Sequence, residues 1–293
     1  MTASPTTTGF TGIAGNRLAT DVYGEIGEPV MLLHGGGQTR HAWRKTAQQI
    51  ARAGRAAYAI DQRGHGDSEW IADGDYAFSA FAGDARAVAD VLTAKTGRRP
   101  IVVGASLGGV ASLLAEGAAE DDGSNAFSAL VLVDITPRVD LTGVARVHGF
   151  MMAHAREGFA SVEQAAEAVA QYLPHRPKPR SIEGLKKNLR LGPDGRWRWH
   201  WDPRFLERRA GADTFRHEVE AALVAAARKI RIPALLVRGG SSELVQEAHA
   251  REFLELVPHA ELADVSGARH MVAGDRNDAF GAAILDFLGR LPA

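Results

Sequence analysis

Val30, Met31, Leu32 and Leu33 form a continuous apolar run, the pattern of a strand buried on both faces. The same pattern returns at 56–60, 101–103, 129–133 and 233–237, and a last strand is predicted over 260–265. Residues 18–24 alternate roughly between apolar and polar, as a strand covered on one face does. The residues before them carry no such pattern and read as a disordered lead. Helical patterns fill the gaps. Phe81, Ala85, Val88 and Leu92 fall at helical spacing and close near Gly97, and the stretch 110–119 is rich in Ala and Leu. Further helices are predicted over 244–257 and through Ala279, Ala283, Ile284, Phe287 and Leu288. Strands alternating with helices predict an α/β fold, a doubly wound and mainly parallel sheet with helices on both faces. Functional loops then collect at the carboxyl ends of the strands.

The pattern changes over 138–228, which holds no buried strand but several helix candidates. Ser161 and Gln164 have capping-box spacing ahead of an apolar stripe (Val162, Ala165, Ala166, Val169, Leu173), and Pro174 stops it. The run 174–180, crowded with proline and basic residues, is predicted as loop. Beyond a turn at Pro193, Asp194 and Gly195, Trp197, Trp199 and Trp201 alternate with Arg198 and His200. The expectation is a mainly helical cap over 138–228, inserted between strands six and seven of a core formed by 1–137 and 229–293. Its tryptophans either staple the cap to the body or wall a binding cavity, with Arg198 and His200 turned to water.

Composition narrows the chemistry. The 34 basic and 35 acidic residues nearly cancel, so no global field recruits nucleic acid or an anionic membrane, and a small-molecule substrate fits better. With no cysteine, disulfides, thiolate metal sites and a cysteine nucleophile are excluded. Residues 1–10 are rich in Ser, Thr and Pro without an apolar signal core, and no run of 18 apolar residues occurs. The expectation is a cytoplasmic protein that works without a cofactor. Its oligomeric state is not legible. Asp61, His65 and Asp67 lie close together, but a glycine-rich turn accounts for them better than a metal does.

The apolar run at 101–103 breaks into Gly104-Ala105-Ser106-Leu107-Gly108 and then into a helix. A turn that lifts the Ser106 hydroxyl off the sheet brings its flanks so close that Gly104 and Gly108 cannot carry side chains. The following helix points its first N–H groups at the serine, where they favour an oxyanion. A nucleophilic serine needs a base, and the base an orienting acid. Among eleven histidines, only His270 combines a late position, a Gly-x-x-His turn and the end of a strand.

Four motifs in this order, His34-Gly35-Gly36, Asp61 to Ser68, Gly104 to Gly109 and Gly267 to His270, resemble the α/β-hydrolase superfamily in its branch of small esterases, lactonases and perhydrolases. The resemblance covers nearly the whole chain outside the cap. It implies an esterase-like serine hydrolase with Ser106 as nucleophile and His270 as base. The oxyanion hole would come from the N–H groups of Leu107 and Gly36, with Gly37 as the substitute for Gly36. His34, Trp199 and Trp201 would line the substrate pocket. The acid is Asp134 or, as the alternative, Glu243, because such proteins place it after strand six or strand seven. Arg269 departs from the glycine that many relatives carry before the histidine. The same residues also serve C–C bond hydrolysis, perhydrolysis or cofactor-free oxygenation, and a non-catalytic binding protein is the rival from another class.

Overall fold

The computed structural model describes residues 4–174, 182–207, 213–270 and 277–291. Along the chain come β1 (Thr6–Thr11), β2 (Arg17–Tyr23), β3 (Pro29–Leu33), α1 (Arg44–Arg52), β4 (Ala56–Ile60), α2 (Phe78–Thr96), β5 (Ile101–Ala105), α3 (Leu107–Asp121) and β6 (Ala129–Val133). Then follow α4 (Leu141–Ala153), α5 (Val162–Tyr172), α6 (Glu183–Lys186), β7 (Leu189–Leu191), β8 (Trp197–Trp199), α7 (Arg204–Glu207) and α8 (Asp213–Lys229). The chain returns to the sheet with β9 (Ala234–Gly239), α9 (Glu247–Leu256), β10 (Glu261–Val265) and α10 (Asn277–Arg290).

Eight strands form one sheet in the order β1-β2-β4-β3-β5-β6-β9-β10, parallel from β4 to β10 and antiparallel where β2 meets β1 and β4. Because strand side chains alternate, Val30 and Leu32 enter one apolar layer with Val103, Val131, Ile50 and Ile284. Met31 and Leu33 enter the opposite layer with Val102, Leu130, Val88 and Leu113. Helices therefore cover both faces, as the continuous apolar runs require. Gly97 closes α2 in the left-handed region at φ 72°, and the Ser161 hydroxyl caps α5 by accepting from Gln164 N.

Two expectations about organisation are corrected. Thr6–Thr11 is not a disordered lead but strand β1, paired with β2 from Thr6 opposite Val22 to Thr11 opposite Arg17. Its side chains are almost all exposed, so it shows no apolar alternation, and backbone pairing alone defines it. At the other boundary, α8 falls within the expected 138–228 cap. Its Leu223, Ala226 and Ala227 nevertheless pack in the same layer as Leu113 and Ala119 of α3. Gly117 of α3 lies so close that a Cβ there would be 2.5 Å from Ala226 Cβ. This helix belongs to the sheet's own covering layer, so the separate layer ends before it. The loop expected over 174–180 lies, apart from Pro174, outside the described residues. Among the described residues no helix is long and apolar enough to cross a membrane.

Candidate active site

Ser106 joins β5 to α3 at φ 46° and ψ −111°, a conformation that L-residues rarely adopt and that costs about 1–3 kcal/mol. The crowding around it has the steric form inferred from the sequence. A Cβ on Gly104 would lie 2.4 Å from Gly108 O, and one on Gly108 would lie 2.3 Å from Leu33 O. Ser106 N donates to Val133 O at 3.2 Å, which ties the turn to the end of β6.

The next residue after β6 is Asp134, also at positive φ (51°), with N donating to Val237 O at 2.8 Å. Its carboxylate is fully buried and receives three hydrogen bonds. Gly239 N donates to Oδ1 at 3.0 Å, while the Ser242 hydroxyl and His270 Nδ1 each reach Oδ2 at 2.7 Å. Ser242 Oγ itself accepts from Leu244 N and Val245 N, both at 3.1 Å, so its own proton is left to point at Asp134. With Nδ1–H given to the carboxylate, the lone pair of the His270 imidazole lies on Nε2. The loop holding His270 sits tight against β9: a Cβ on Gly239 would be 2.8 Å from Ala268 O and 3.0 Å from Arg269 O. His270 is 5% exposed, and Ser106 and His270 are not hydrogen-bonded to each other.

Glu243 stands apart from this pairing. Its Oε2 is shielded from solvent with no hydrogen-bond partner among the described residues, and its carbonyl packs against Gly143 at the start of α4. The structure thus brings Asp134, not Glu243, to His270. Glu243, the alternative acid of the Gly-x-x-acid spacing, stays away from His270, and its neighbour Ser242 faces the site through its bond to Asp134.

Gly35 to Gln38 form a turn closed by Gln38 N donating to Gly35 O at 3.1 Å. Gly35 lies beside the nucleophile candidate, where a Cβ would be 3.4 Å from Ser106 Cβ. Among the described residues the N–H groups of Gly36 and Leu107 have no partner, whereas Gly37 N donates to His65 Nε2 at 3.1 Å. Gly37 is therefore not available as the substitute donor. His34, expected in the pocket wall, is fully buried and uses both ring nitrogens internally: Nδ1 faces Gly35 O at 2.8 Å and Nε2 accepts from Gln62 N at 3.0 Å. Its pKa is lowered, chiefly by burial. The neighbouring loop is braced by charge. Arg40 pairs with Asp21, Asp61 and Asp67, and Arg63 with Asp84, which leaves Asp61 and Asp67 engaged with a guanidinium.

The segment between β6 and β9 contributes an aromatic cluster. Trp199 packs edge-on to Phe159 at 5.3 Å between centroids, and Trp201 lies 6.4 Å from Phe205. Both tryptophans are buried, together with Met151 and with Leu107 at the start of α3. Trp201 Nε1 and the Met151 methyl group approach Gly37, within 3.6 Å and 2.7 Å of where a Cβ would lie. The strict alternation predicted His200 on a face that meets water, but His200 is 1% exposed. It is bonded instead to the loops of the sheet domain, through Gly66 N and Gly37 O, a role signalled along the chain only by the flanking tryptophans. Arg269 is exposed.

A strand-to-helix elbow with a strained serine, and a buried carboxylate–imidazole pair at the same end of the sheet, define the α/β-hydrolase class. Residues 28–276 match the family model of the alpha/beta hydrolase fold, and the chain belongs to that family. It is 31% identical to the esterase Rv0045c of Mycobacterium tuberculosis over 256 residues, covering 84% of this chain and 78% of that one. It is also 26% identical to the non-heme chloroperoxidase CPO-A1 of Kitasatospora aureofaciens, over 90% of this chain and 93% of that one. The crystal structure of an alpha/beta hydrolase from Novosphingobium aromaticivorans superposes with a TM-score of 0.77 at 25% identity, covering 99% of each chain. The protein is an esterase-like hydrolase.

Proposed function

We propose that this enzyme is a serine hydrolase of small esters, lactones or related acyl compounds, working through an acyl-enzyme. The observation that carries the reading is the Asp134–His270 pair at 2.7 Å, set on the strand end beside the strained Ser106. In the first half-reaction Ser106 Oγ bonds to the substrate carbonyl carbon as its proton passes to His270 Nε2. Asp134 holds the tautomer and stabilises the imidazolium. The carbonyl oxygen, now negative, accepts from Gly36 N–H and Leu107 N–H. Collapse of this intermediate breaks the bond to the leaving group, which takes the proton from His270. Water repeats the sequence on the acyl-serine and releases the acid. Serine and histidine come into hydrogen-bond reach when substrate binds, since such bonds are often long in free enzymes. The segment from α4 to α7 acts as the cap, with Trp201 and Met151 walling the acyl or alcohol pocket near Gly37.

The likeness to a chloroperoxidase supports a second outcome at the same site. Hydrogen peroxide in place of water would attack the acyl-serine, giving a peracid and free serine. Ser106→Ala tests both. Hydrolysis of chromogenic acyl esters should fall by about 10⁴- to 10⁶-fold with the thermal midpoint unchanged, because the hydroxyl contributes no core packing. Retained turnover would remove Ser106 from the chemistry.

A further inference from the structure

Three imidazoles hold three consecutive peptide planes of the turn that carries the Gly36 donor, and one of them comes from the inserted segment. His34 Nδ1–H donates to Gly35 O at 2.8 Å, its tautomer fixed because Nε2 accepts from Gln62 N. His65 Nε2 accepts from Gly37 N at 3.1 Å, and its Nδ1–H donates to Arg63 O at 2.9 Å. His200 Nδ1 accepts from Gly66 N at 2.6 Å, which places its proton on Nε2, facing Gly37 O at 3.2 Å. The planes so held are Gly35–Gly36, Gly36–Gly37 and Gly37–Gln38. Among the described residues no peptide bond is cis, so each fixed carbonyl or N–H sets the direction of the opposite group. The first plane carries the Gly36 N–H. The rings also pack on one another, with His65 5.2 Å from His34 and 5.9 Å from His200 between centroids.

The third clamp does not belong to the sheet domain. His200 follows β8 and is seated by its neighbours: its own N donates to Asn188 O at 3.1 Å, Asp202 N donates to Gly64 O at 2.9 Å, and Arg190 reaches Gly66 O. Trp201 closes over the same glycine turn. Burial drives the His200 pKa down to about 3, consistent with a neutral ring carrying one proton.

We propose that His200 is a positioning residue for the oxyanion hole: by fixing the Gly37–Gln38 peptide it sets the Gly36 donor, so the inserted segment contributes to the rate of the chemical step as well as to substrate fit. The proposal rests on reading Ser106 as nucleophile and Gly36 as donor. Carbonyl attack builds charge at the Gly36 N–H only in the transition state, so a displaced donor costs kcat more than KM.

The test compares His200→Leu, His200→Gln and His200→Asn on an activated small ester, and with a trifluoromethyl ketone. That ketone takes the Ser106 oxygen on its carbonyl carbon and becomes a bound oxyanion, with the serine proton moving to His270. Glutamine places an amide N–H near the position of Nε2, whereas asparagine reproduces only the Nδ1 acceptor. His200→Leu should lower kcat by about 10- to 100-fold with KM within about twofold, and weaken ketone binding in proportion to kcat/KM. His200→Gln should recover most of the loss, and His200→Asn little. The proposal is overturned if kcat is kept, if KM alone rises, if ketone affinity does not follow kcat/KM, or if glutamine and asparagine behave alike. Should the leucine variant fail to fold, the glutamine–asparagine pair still decides. Ser106→Ala run beside them separates the two levels: turnover or ketone binding that survives there defeats the serine reading itself, whatever His200 does.

Discussion

The loops after β5, β6 and β9 and the segment between β6 and β9 are placed by different means. At the sheet edge, backbone fixes position. Ser106 N is tied to Val133 O and Asp134 N to Val237 O, and Gly239 N reaches the Asp134 carboxylate, so Ser106 and Asp134 each stand one residue beyond a strand end. Among the described residues the inserted segment forms one short hairpin, β7 and β8, and is held mainly by side chains, with few backbone bonds such as Asp202 N to Gly64 O. Phe150 stacks on Tyr172 at 4.2 Å, Phe159 meets Trp199, and the side chains of His200 and Arg190 reach across to the glycine turns. Backbone placement is exact and tolerates few substitutions. Side-chain placement can change residue by residue, which suits a surface that selects substrates above chemistry that stays the same.

The sharpest way to break this contrast is at the two carboxylates. Asp134→Asn keeps the shape but donates an N–H or loses the charge toward His270. It should lower turnover by roughly 10⁴-fold with little change in KM, whereas Glu243→Gln should leave both nearly unchanged. Steady-state kinetics on one ester decides it, and a crippled Glu243→Gln beside an active Asp134→Asn would reverse the assignment.

The inserted segment should answer more mildly, and unevenly. Trp199 is 9% exposed and packed on Phe159, so Trp199→Ala should cost about 3–5 kcal/mol of stability with selectivity unchanged. Trp201 lies against Gly37, and Trp201→Ala should shift the preference between short and bulky acyl chains by about 1–3 kcal/mol. Chemical unfolding measured beside a substrate-length series separates the two. A uniform stability loss without altered selectivity in Trp201→Ala would make both residues staples.

The smallest effect belongs to the sheet domain, away from the site. Burial raises the Glu116 pKa to about 7, even though Ala126 N and Phe127 N both donate to its carboxylate. The folded protein holds this proton more tightly than the unfolded chain, whose carboxyl titrates near 4.5. The stabilisation it confers is complete below pH 4.5 and is lost as pH rises to about 7. Glu116→Gln should remove that slope and raise the thermal midpoint at pH 8 by about 2–4 °C per kcal/mol recovered, with turnover unchanged. A midpoint at pH 8 below that of the native protein would contradict the assignment.

The sheet and its chemistry were legible because each is a local pattern. Continuous apolar runs such as 30–33 mark doubly covered strands, and Gly104 and Gly108 mark a turn too tight for side chains. The rest depended on contacts distant in sequence. Strand β1 is exposed and declares itself only by pairing with β2. Ser242 and Glu243 are adjacent, and nothing in their order tells which one turns toward Asp134, 108 residues away for Ser242. His34, expected in the pocket wall, spends both ring nitrogens internally, Nδ1 on Gly35 O and Nε2 on Gln62 N. His200 sat in an alternating run that predicted solvent, and its partners lie 134 and 163 residues away.

The central claim is that Ser106 is a nucleophile activated by His270 and Asp134. It is tested most directly by reacting the protein with a fluorophosphonate and locating the adduct by peptide mass spectrometry. The account predicts one rapid modification, on Ser106, lost in Ser106→Ala and slowed by orders of magnitude in His270→Ala while both variants stay folded. Labelling elsewhere, or at an undiminished rate in His270→Ala, would contradict it.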